Sequence, residues 1–319
     1  METTILLFMI LVIFLFTIIK KKETFADKKY VVSHINRGEW GFRFIKIILP
    51  KIKKKVEFKQ VEYPDLVIES VFPRKEIVKK KNYKLITISG ESYKSKNHKK
   101  ALLNILSLKT ANKKDIWFPY ICWGFNDNKL DILINKKFKK INERKFFLIY
   151  LAKNCITERE LFFKLINKKH EGCHAAGKCS NNIKLKKDKG RLSFSNNKYI
   201  FEDYKFVLCM ENKIVPGYIT EKILNAYLGG AIPIYWGDSK SVNYFFNPDS
   251  FININNFNSF NECIDYILEL NKNPEKMLKM QQMNIFKEGI VNDMFLYYQE
   301  NNPFIKKTID KISKLNINW

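Results

Sequence analysis

Short apolar runs separated by polar residues predict an α/β chain. In the first half, residues 56–61, 65–71 and 83–89 have the length and composition of strands, and residues 101–108 are ambiguous between strand and helix. Residues 83–89 form the clearest of these strands because they are rich in β-branched residues and end at Gly90.

The second half repeats this pattern with shorter connections. Strands are predicted at residues 145–151, 204–210, 231–236 and, more briefly, 251–254, and helices at residues 158–167 and 220–228. A strand, a helix and a strand joined by short loops form a βαβ unit, which implies a parallel sheet. The tail carries two or three predicted helices, over about residues 258–287 and from about Asn302. The simplest arrangement is two α/β halves around a cleft.

A separate apolar segment lies at the N-terminus. Residues 5–19 carry no charge, and with the flanking threonines they reach about 17 residues, which is the short end of what spans a bilayer. Because the chain starts with Met1 and Glu2 and three lysines follow the segment, we expect an uncleaved anchor over residues 1–22 rather than a signal peptide. A polar stem is expected over residues 23–34.

The sequence leaves open on which side of the membrane the body lies. Basic residues follow the apolar segment and none precedes it, which by the positive-inside rule places the body in the cytoplasm. The lack of an Asn-x-Ser/Thr sequon agrees with that side. A lumenal enzyme of the secretory pathway would face the other way. We therefore predict a single-pass protein of a Golgi-type, viral or other internal membrane, with its orientation undecided.

The formal net charge of +25 raises the question of a nucleic-acid partner. The excess is mostly lysine, in short runs spread along the chain. Scattered runs are typical of solvated surface rather than of one binding patch. We therefore expect no nucleic-acid partner, and the alternative is an attraction for anionic lipid or acidic glycans.

The six cysteines are spread out and imply no dense disulfide framework. They are Cys122, Cys155, Cys173, Cys179, Cys209 and Cys263. His170, Cys173, His174 and Cys179 lie close together in sequence, and such side chains can hold zinc. Their spacing matches no standard zinc module. We expect a loop with ordinary thiols, and metal binding by this cluster stays open.

Candidate chemistry concentrates where the strand over residues 204–210 ends, because ligands bind at the carboxyl ends of parallel strands. Thr220 is a suitable N-cap for the following helix, which places Glu221 and Lys222 in its first turn. Free N–H groups and the helix dipole favour a phosphate at such an end, and Lys222 adds a point charge. Glu221 is suited to sugar hydroxyls, and Tyr218 to stacking on a base or sugar. By itself this pattern also fits an ordinary strand-helix-strand unit with surface charges.

The segments YKFVLCMEN, GYITEK, AIPIYWG and NPDSFI, in this order, resemble the signature block of the α-1,3/4-fucosyltransferases, which form glycosyltransferase family 10. The similarity is dense over residues 204–270 and thin from about Asp65. It implies a GT-B-like fold, in which two Rossmann-like domains face a cleft. It also implies GDP-fucose as donor and inversion at the anomeric carbon.

The resemblance also assigns roles to individual residues. Arg159 would clamp the diphosphate, Glu221 would hold the ribose and Lys222 the phosphates. Asn212 and Tyr218 fall at further donor-binding positions. The family's proposed general base is a Glu directly after a Gly that follows a strand of the first domain. Glu91, after Gly90, fits that place.

The block departs from the family pattern at three positions. Met210 replaces a Phe, Lys213 replaces a Ser, and Gly217 stands where an acidic or small residue precedes the Tyr. Met210 is a mild packing change, whereas Lys213 puts the fine specificity in doubt.

These observations predict an inverting transferase that moves fucose from GDP-fucose to an acceptor glycan, with α-1,3 transfer to a GlcNAc-type residue expected. The alternatives are a relative that uses another GDP-deoxyhexose and a non-catalytic glycan-binding membrane protein of the same fold. No essential metal is expected, because the second half offers no Asp-x-Asp at its strand ends. The predicted divisions are the anchor and stem, a first α/β domain over residues 35–143, a GDP-sugar domain over residues 144–287 and a helical tail over residues 288–319.

Overall fold

The structure is a computed structural model that describes residues 29–35, 39–52, 55–72, 78–79, 82–124, 127–185, 197–288 and 301–314. The predicted anchor and residues 23–28 of the predicted stem lie outside these ranges. Within the described ranges, no helix has the length and apolar character needed to cross a bilayer. The chain forms two compact units. Unit 1 comprises the described residues up to Ile88, Ser95–Leu103 and those from Lys307, and unit 2 comprises Ser89–Lys94 and Asn104–Lys306.

Unit 1 is an α/β unit on a parallel sheet. Its elements are β1 (Tyr30–Ile35), α1 (Glu39–Ile52), β2 (Val56–Phe58), β3 (Leu66–Glu69) and β4 (Lys84–Ser89). The strands lie in the order β2-β1-β3-β4, and each of these pairs is parallel. Helix α1 packs against β1, β2 and β3. It buries Phe44, Ile45, Ile48 and Leu49 completely, which is the spacing of one apolar helix face.

The strands predicted at residues 56–61, 65–71 and 83–89 are confirmed as β2, β3 and β4. The expectation of a polar stem over residues 23–34 is wrong from Tyr30 onward, where the chain forms β1. Tyr30, Val32 and Ser33 are buried in that strand. The polar residues of β1 made the strand hard to predict from the sequence. Pairing with two neighbouring strands, and not composition alone, determines which of its residues are buried.

Unit 2 is a larger α/β unit. Its elements are β5 (Leu103–Leu106), β6 (Asp115–Trp117), α2 (Asp127–Ile134), β7 (Phe146–Ala152), α3 (Thr157–Lys169), β8 (Cys173–Gly177), α4 (Lys198–Phe201), β9 (Tyr204–Met210), α5 (Glu221–Leu228), β10 (Ile232–Trp236), α6 (Ser239–Phe245), β11 (Ile252–Asn253), α7 (Phe260–Asn271) and α8 (Pro274–Gln282). Helix α9 (Pro303–Lys314) ends the described chain, and from Lys307 onward it belongs to unit 1. Five parallel strands lie in the order β11-β10-β9-β7-β8. Strands β5 and β6 form a parallel pair.

Strand β9 is the centre of the five-stranded sheet, with β7 on one side and β10 on the other. Leu208 pairs in register with Ile234, and Leu148 with Phe206. These side chains belong to one buried core. A parallel strand covered on both faces is expected to be apolar throughout, which explains why the prediction for residues 204–210 matches β9.

Most other predictions for this half are also confirmed. The ambiguous residues 101–108 contain a strand, β5, and the described residues of the tail, 258–288 and 301–314, contain three helices, α7, α8 and α9. The exception is β8, whose residues Cys173–Gly177 fall in the segment predicted as a loop. The predicted domain division at residue 144 stays a prediction.

Candidate active site

The carboxyl end of β9 places a buried acid at the edge of the sheet. Glu211 directly follows β9 and is 0% exposed. Its backbone N–H donates to the carbonyl of Trp236 at 2.7 Å, which keeps the chain bound to the end of β10 for one residue beyond β9. The Glu211 side chain therefore starts from a rigid point at the edge where parallel sheets bind ligands.

The Glu211 carboxylate organises the start of helix α5. Its Oε1 accepts the Thr220 N–H at 2.7 Å, and the Thr220 hydroxyl lies 2.9 and 2.8 Å from the two carboxylate oxygens. Lys222 Nζ donates to Glu211 Oε2 at 3.0 Å and to Thr220 Oγ1 at 2.9 Å. Thr220 occupies the predicted N-cap position, but its side chain caps no helix N–H. The expected capping bond is therefore wrong, because the hydroxyl bonds to Glu211 and Lys222 instead.

Lys222 is held as a cation, and part of its side chain is exposed to solvent. Burial works to lower the pKa of its ammonium, but the negative charges of Glu211 and Glu221 outweigh burial, and the pKa lies above its ordinary value. The Lys222 side chain is 27% exposed, whereas that of Glu211 is 0% exposed. The arrangement places a positive charge at the first turn of α5, where the helix dipole also favours an anion.

Gly217 fixes the turn that leads into α5. It has φ of +88°, and a Cβ at this position would lie 2.5 Å from the backbone nitrogen of Lys109. Its N–H donates to Asp238 Oδ2 at 2.9 Å, and its carbonyl accepts the Trp117 indole N–H at 3.0 Å. Both the backbone conformation and the close approach require glycine, which accounts for this departure from the family pattern.

Tyr218 and Glu221 differ in what they offer a ligand. Tyr218 is 1% exposed and packs against Leu106 and Leu108. In this structure its ring therefore presents no face for the stacking that the sequence suggested. Glu221 opens α5 and is partly exposed. Donor-binding roles for both residues stay predictions.

Arg159 lies in the first turn of α3 and is 2% exposed. Its Nε donates to the Met210 carbonyl at 2.9 Å, and its Nη2 donates to the same carbonyl and to Asn212 Oδ1, the latter at 2.9 Å. Its Nη1 donates to the Asn154 carbonyl at 3.0 Å. Asn212 therefore holds Arg159 here, and the predicted bidentate clamp on a diphosphate would require the bonds to Met210 to be exchanged.

Glu91 lies in a short loop that follows β4 and is restrained on both sides. Its N–H donates to Ser89 Oγ at 3.2 Å, and Ser89 Oγ donates to the Tyr93 carbonyl at 2.5 Å. Lys94, at the end of the loop, forms an ion pair of 2.5 Å with Asp115. The loop that carries Glu91 is therefore folded on itself and tied to β6.

The electrostatics connect Glu91 to the start of α5. Burial raises the pKa of the Glu91 carboxyl, the positive charge of Lys222 lowers it, and the charges of Glu221 and Glu211 raise it, with a net rise. A carboxyl that titrates above its ordinary range suits a group that must accept a proton near neutral pH. Glu91 and Lys222 both lie in unit 2, and their charges interact.

Tyr120 is a member of this site that the sequence did not reveal. A Cβ on Gly90 would lie 2.4 Å from its ring, so the ring packs directly on the backbone before Glu91. Burial and the charges of Glu221 and Glu91 raise the pKa of the Tyr120 hydroxyl. The side chain therefore lies among these carboxylates as a neutral phenol.

The zinc hypothesis for the cysteine and histidine cluster finds no support in the arrangement of its members. Cys179 forms a disulfide with Cys155, so the expectation of ordinary thiols is wrong for Cys179. His174 Nδ1 lies 2.8 Å from the hydroxyl of Tyr204, and His170 stacks on Phe147. Among the described residues, the ligand atoms that converge are those of Cys155, Glu160 and Cys179, and the two sulfurs are already bonded to each other.

All six residues predicted for the site lie in unit 2. They are Glu91, Arg159, Asn212, Tyr218, Glu221 and Lys222. Sequence reasoning missed Glu211 as the partner of Lys222 and Thr220 as the bridge between them. The available signal was an acid placed directly after a continuous apolar strand, where its side chain is expected to be buried. A buried Glu is almost always paired with a cation or hydrogen-bond donors.

Comparisons with known proteins found similar sequences and similar structures. Residues 141–284 match the family model described as glycosyltransferase family 10 (fucosyltransferase) C-term. The α-(1,3)-fucosyltransferase FucT of Helicobacter pylori is 47% identical over 89 residues, which is 28% of this chain and 18% of that protein. The 4-galactosyl-N-acetylglucosaminide 3-α-L-fucosyltransferase 9 of Mus musculus is 41% identical over 90 residues, 28% of this chain and 24% of that protein. The chain thus matches less than a quarter of the length of these curated relatives.

A solved structure extends the similarity to most of the chain. The crystal structure of an α1,3-fucosyltransferase with GDP has a TM-score of 0.64 and 24% identity, with 90% of both chains covered. At this identity the likeness establishes the fold, and it confirms the predicted GT-B-like class with parallel-sheet α/β domains. Over residues 141–284, the chain is therefore similar to glycosyltransferase family 10, the fucosyltransferases.

Proposed function

We propose that this chain transfers L-fucose from GDP-fucose to a hydroxyl of an acceptor glycan. The observation that carries the proposal is the pairing of a solvent-accessible cation, Lys222, with a carboxyl of raised pKa, Glu91, that feels its charge. The cation suits a leaving diphosphate, and the carboxyl suits an attacking hydroxyl. The match of residues 141–284 to the family 10 model and the fucosyl-transfer activities named for the Helicobacter and mouse relatives support the choice of donor.

The proposed reaction is a single displacement with inversion. The acceptor oxygen forms a bond to the anomeric carbon while the bond from that carbon to the diphosphate oxygen breaks, and its electron pair leaves with GDP. Glu91 takes the proton of the acceptor hydroxyl as general base. Inversion requires the base on the face of the sugar opposite the leaving group, as in inverting glycoside hydrolysis.

The cations of unit 2 supply the stabilisation of the leaving group. Negative charge grows on the diphosphate as the glycosidic bond breaks, and fixed positive groups lower the energy of that state. Lys222 contacts the diphosphate in the proposal, with the N-terminus of α5 beside it. Arg159, buried behind Asn212, adds its charge at longer range or after exchange of its bonds to Met210. We expect no requirement for a divalent metal, because these cations take that role.

The proposed acceptor position is the 3-hydroxyl of a GlcNAc-type residue. The support is the name of the mouse relative, which specifies 3-α-L-fucosyl transfer to a 4-galactosyl-N-acetylglucosaminide. Lys213, exposed in the turn after β9, is the departure from the family pattern that bears most directly on specificity.

GDP release by the full chain in detergent tests the proposal. The donors are a panel of GDP- and UDP-sugars, the acceptors are simple glycans with GlcNAc or galactose, and each assay is run with and without EDTA. Release from GDP-fucose alone, stimulated by a GlcNAc-bearing acceptor and insensitive to EDTA, is the expected result. Product analysis by NMR then gives the linkage and the anomeric configuration.

The other outcomes identify the alternatives. Turnover of a different GDP-deoxyhexose would retain the chemistry and change the donor. Binding of GDP without release from any donor would favour the non-catalytic glycan-binding protein. Loss of turnover with EDTA, restored by Mg²⁺ or Mn²⁺, would overturn the metal-independent mechanism.

A further inference from the structure

We propose that Glu211 is a positioning residue, which holds the Lys222 ammonium as an oriented cation for the donor diphosphate without touching the substrate itself. The inference rests on the proposed function, since it takes GDP as the ligand of Lys222. The proposal adds the Glu211 carboxylate to the site, since Glu211 is not among the predicted donor-binding residues.

The difference in exposure between the two partners carries the first step. The Glu211 side chain is 0% exposed and that of Lys222 is 27% exposed, although their charged atoms are 3.0 Å apart. A ligand arriving from solvent can therefore contact the Lys222 side chain but not the Glu211 carboxylate. The Lys222 ammonium offsets the charge of Glu211, and the burial of Glu211 prevents direct contact between its carboxylate and an anionic diphosphate.

The geometry of the ammonium carries the second step. An ammonium has three N–H donors. Within the described part of the chain, Lys222 directs donors to Glu211 Oε2 at 3.0 Å and to Thr220 Oγ1 at 2.9 Å. Two fixed contacts determine the direction of the third donor. Thr220, bonded to both oxygens of Glu211, fixes the carboxylate in turn.

The charges around Lys222 carry the third step. Burial works to lower the pKa of Lys222, Glu211 is the strongest influence that raises it, Glu221 on α5 adds to that, and Arg159 on α3 opposes it. The charge of Glu91, on the loop after β4, also interacts with Lys222. Without the charge of Glu211, the remaining carboxylates offset less of the lowering of the Lys222 pKa by burial and Arg159. The ammonium then loses its proton at lower pH.

A purely structural ion pair is the competing explanation. It predicts that removal of the Glu211 charge weakens the fold and GDP binding by a factor that does not depend on pH. The positioning role predicts a factor that grows as pH rises, because the variant loses the Lys222 charge while the wild-type protein keeps it. The pH dependence of the ratio therefore separates the two, and the titration of GDP itself cancels in that ratio.

The experiment is calorimetric binding of GDP to the full chain at about pH 7 and about pH 9, for wild type and Glu211→Gln. We expect the ratio of the two dissociation constants to increase between these pH values, by up to about tenfold for each unit by which the pH exceeds the lowered pKa of Lys222. Glu269→Gln is the matched control, since it removes the charge of an exposed pair with Lys272, and its ratio should stay constant. A constant ratio for Glu211→Gln overturns the proposal.

A second variant and a second measurement keep the test independent of folding defects. In Glu211→Gln combined with Lys222→Arg, the guanidinium stays charged throughout this range, and the pH-dependent loss should disappear. If Glu211→Gln does not fold, competitive acetylation of the wild-type protein followed by peptide mass spectrometry reports Lys222 directly. Reaction of Lys222 only at higher pH than the exposed Lys276 supports the proposal, and reaction at lower pH overturns it. Failure of wild type to bind GDP would instead refute the proposed function.

Discussion

Removal of the disulfide between Cys155 and Cys179 should weaken unit 2 by an amount that its loop length fixes. The bond joins the connection between β7 and α3 to the residues after β8. Cys155 is exposed, whereas Cys179 is buried. The loop it closes also contains Arg159, and the residue before Cys155, Asn154, accepts a hydrogen bond from that arginine at 3.0 Å.

The magnitude follows from the sequence separation of 24 residues. The chain-entropy relation gives about 3.5 kcal/mol at 25 °C for a loop of this length. Unit 2 has about 200 residues, and in a unit of that size about 1 kcal/mol corresponds to about 2–4 °C in Tm. We therefore expect the double variant Cys155→Ala/Cys179→Ala to melt about 7–14 °C below wild type.

The assay is thermal unfolding followed by circular dichroism, with and without dithiothreitol. Reductant should lower the Tm of wild type by about the same amount and leave the double variant unchanged. Cys263→Ala is the matched control, because Cys263 is a free, buried cysteine in the same core. It measures the loss of a buried sulfur without the loss of a bridge, and its Tm should still respond to reductant.

Two observations would refute this reasoning. One is a wild-type Tm that does not respond to reductant. The other is alkylation of all six cysteines in denaturant without reductant, which would show that no bridge had formed. A drop in the double variant no larger than that of Cys263→Ala would retain the bond but reject the loop-entropy magnitude.

Three further predictions concern the site. Glu91→Gln should abolish GDP release while GDP affinity by calorimetry is retained. In the wild-type protein, the rate of GDP release should rise with pH as Glu91 loses its proton, at a pH above the ordinary range of a glutamate, because burial raises the pKa of Glu91. Retained turnover, or a rise within the ordinary range, contradicts the role of base. Lys222→Ala should weaken GDP binding by about 10- to 100-fold, the loss of a charge-assisted hydrogen bond, and unchanged affinity would argue against the whole placement. Gly217→Ala should destabilise unit 2 by about 1–3 kcal/mol, because φ there is +88°, and an unaltered urea midpoint would contradict that.

The contrast between β9 and β8 shows how far the fold could be predicted. Strand β9 is apolar from end to end because it is covered on both faces, and its bounds were predicted from that pattern. Strand β8, Cys173–Gly177, contains two alanines, a histidine and a glycine, residues with little preference for strands. It is a strand because it pairs with β7, from Leu148↔Cys173 to Ala152↔Gly177. That pairing is tertiary information which no local pattern carries.

The same limit applies to the site. The position of Lys222 in the first turn of a helix after β9 could be predicted, since a strand, a turn and an N-cap are local features. Its bond to Glu211, eleven residues earlier, could not, because it depends on the path of the turn through Gly217. The positive φ of Gly217 and its contacts with Asp238 and Trp117 determine that path. Local chemistry thus identified the residues, and the turn decides which of them touch.

The disulfide also bears on which side of the membrane the body of the protein lies, and it favours the side opposite to the one that the charge pattern indicates. Lys20, Lys21 and Lys22 after the apolar segment favour a cytoplasmic body, yet bridges such as Cys155–Cys179 form and persist mainly in oxidising compartments. The two arguments differ in kind. A charge bias acts once, at insertion, and other signals can override it, whereas a disulfide responds to its compartment for the life of the protein. The redox state of this cysteine pair in cells is therefore the more direct measure of which side the body occupies: alkylation of both thiols before lysis places it in the cytoplasm, and protection of both places it in a lumen.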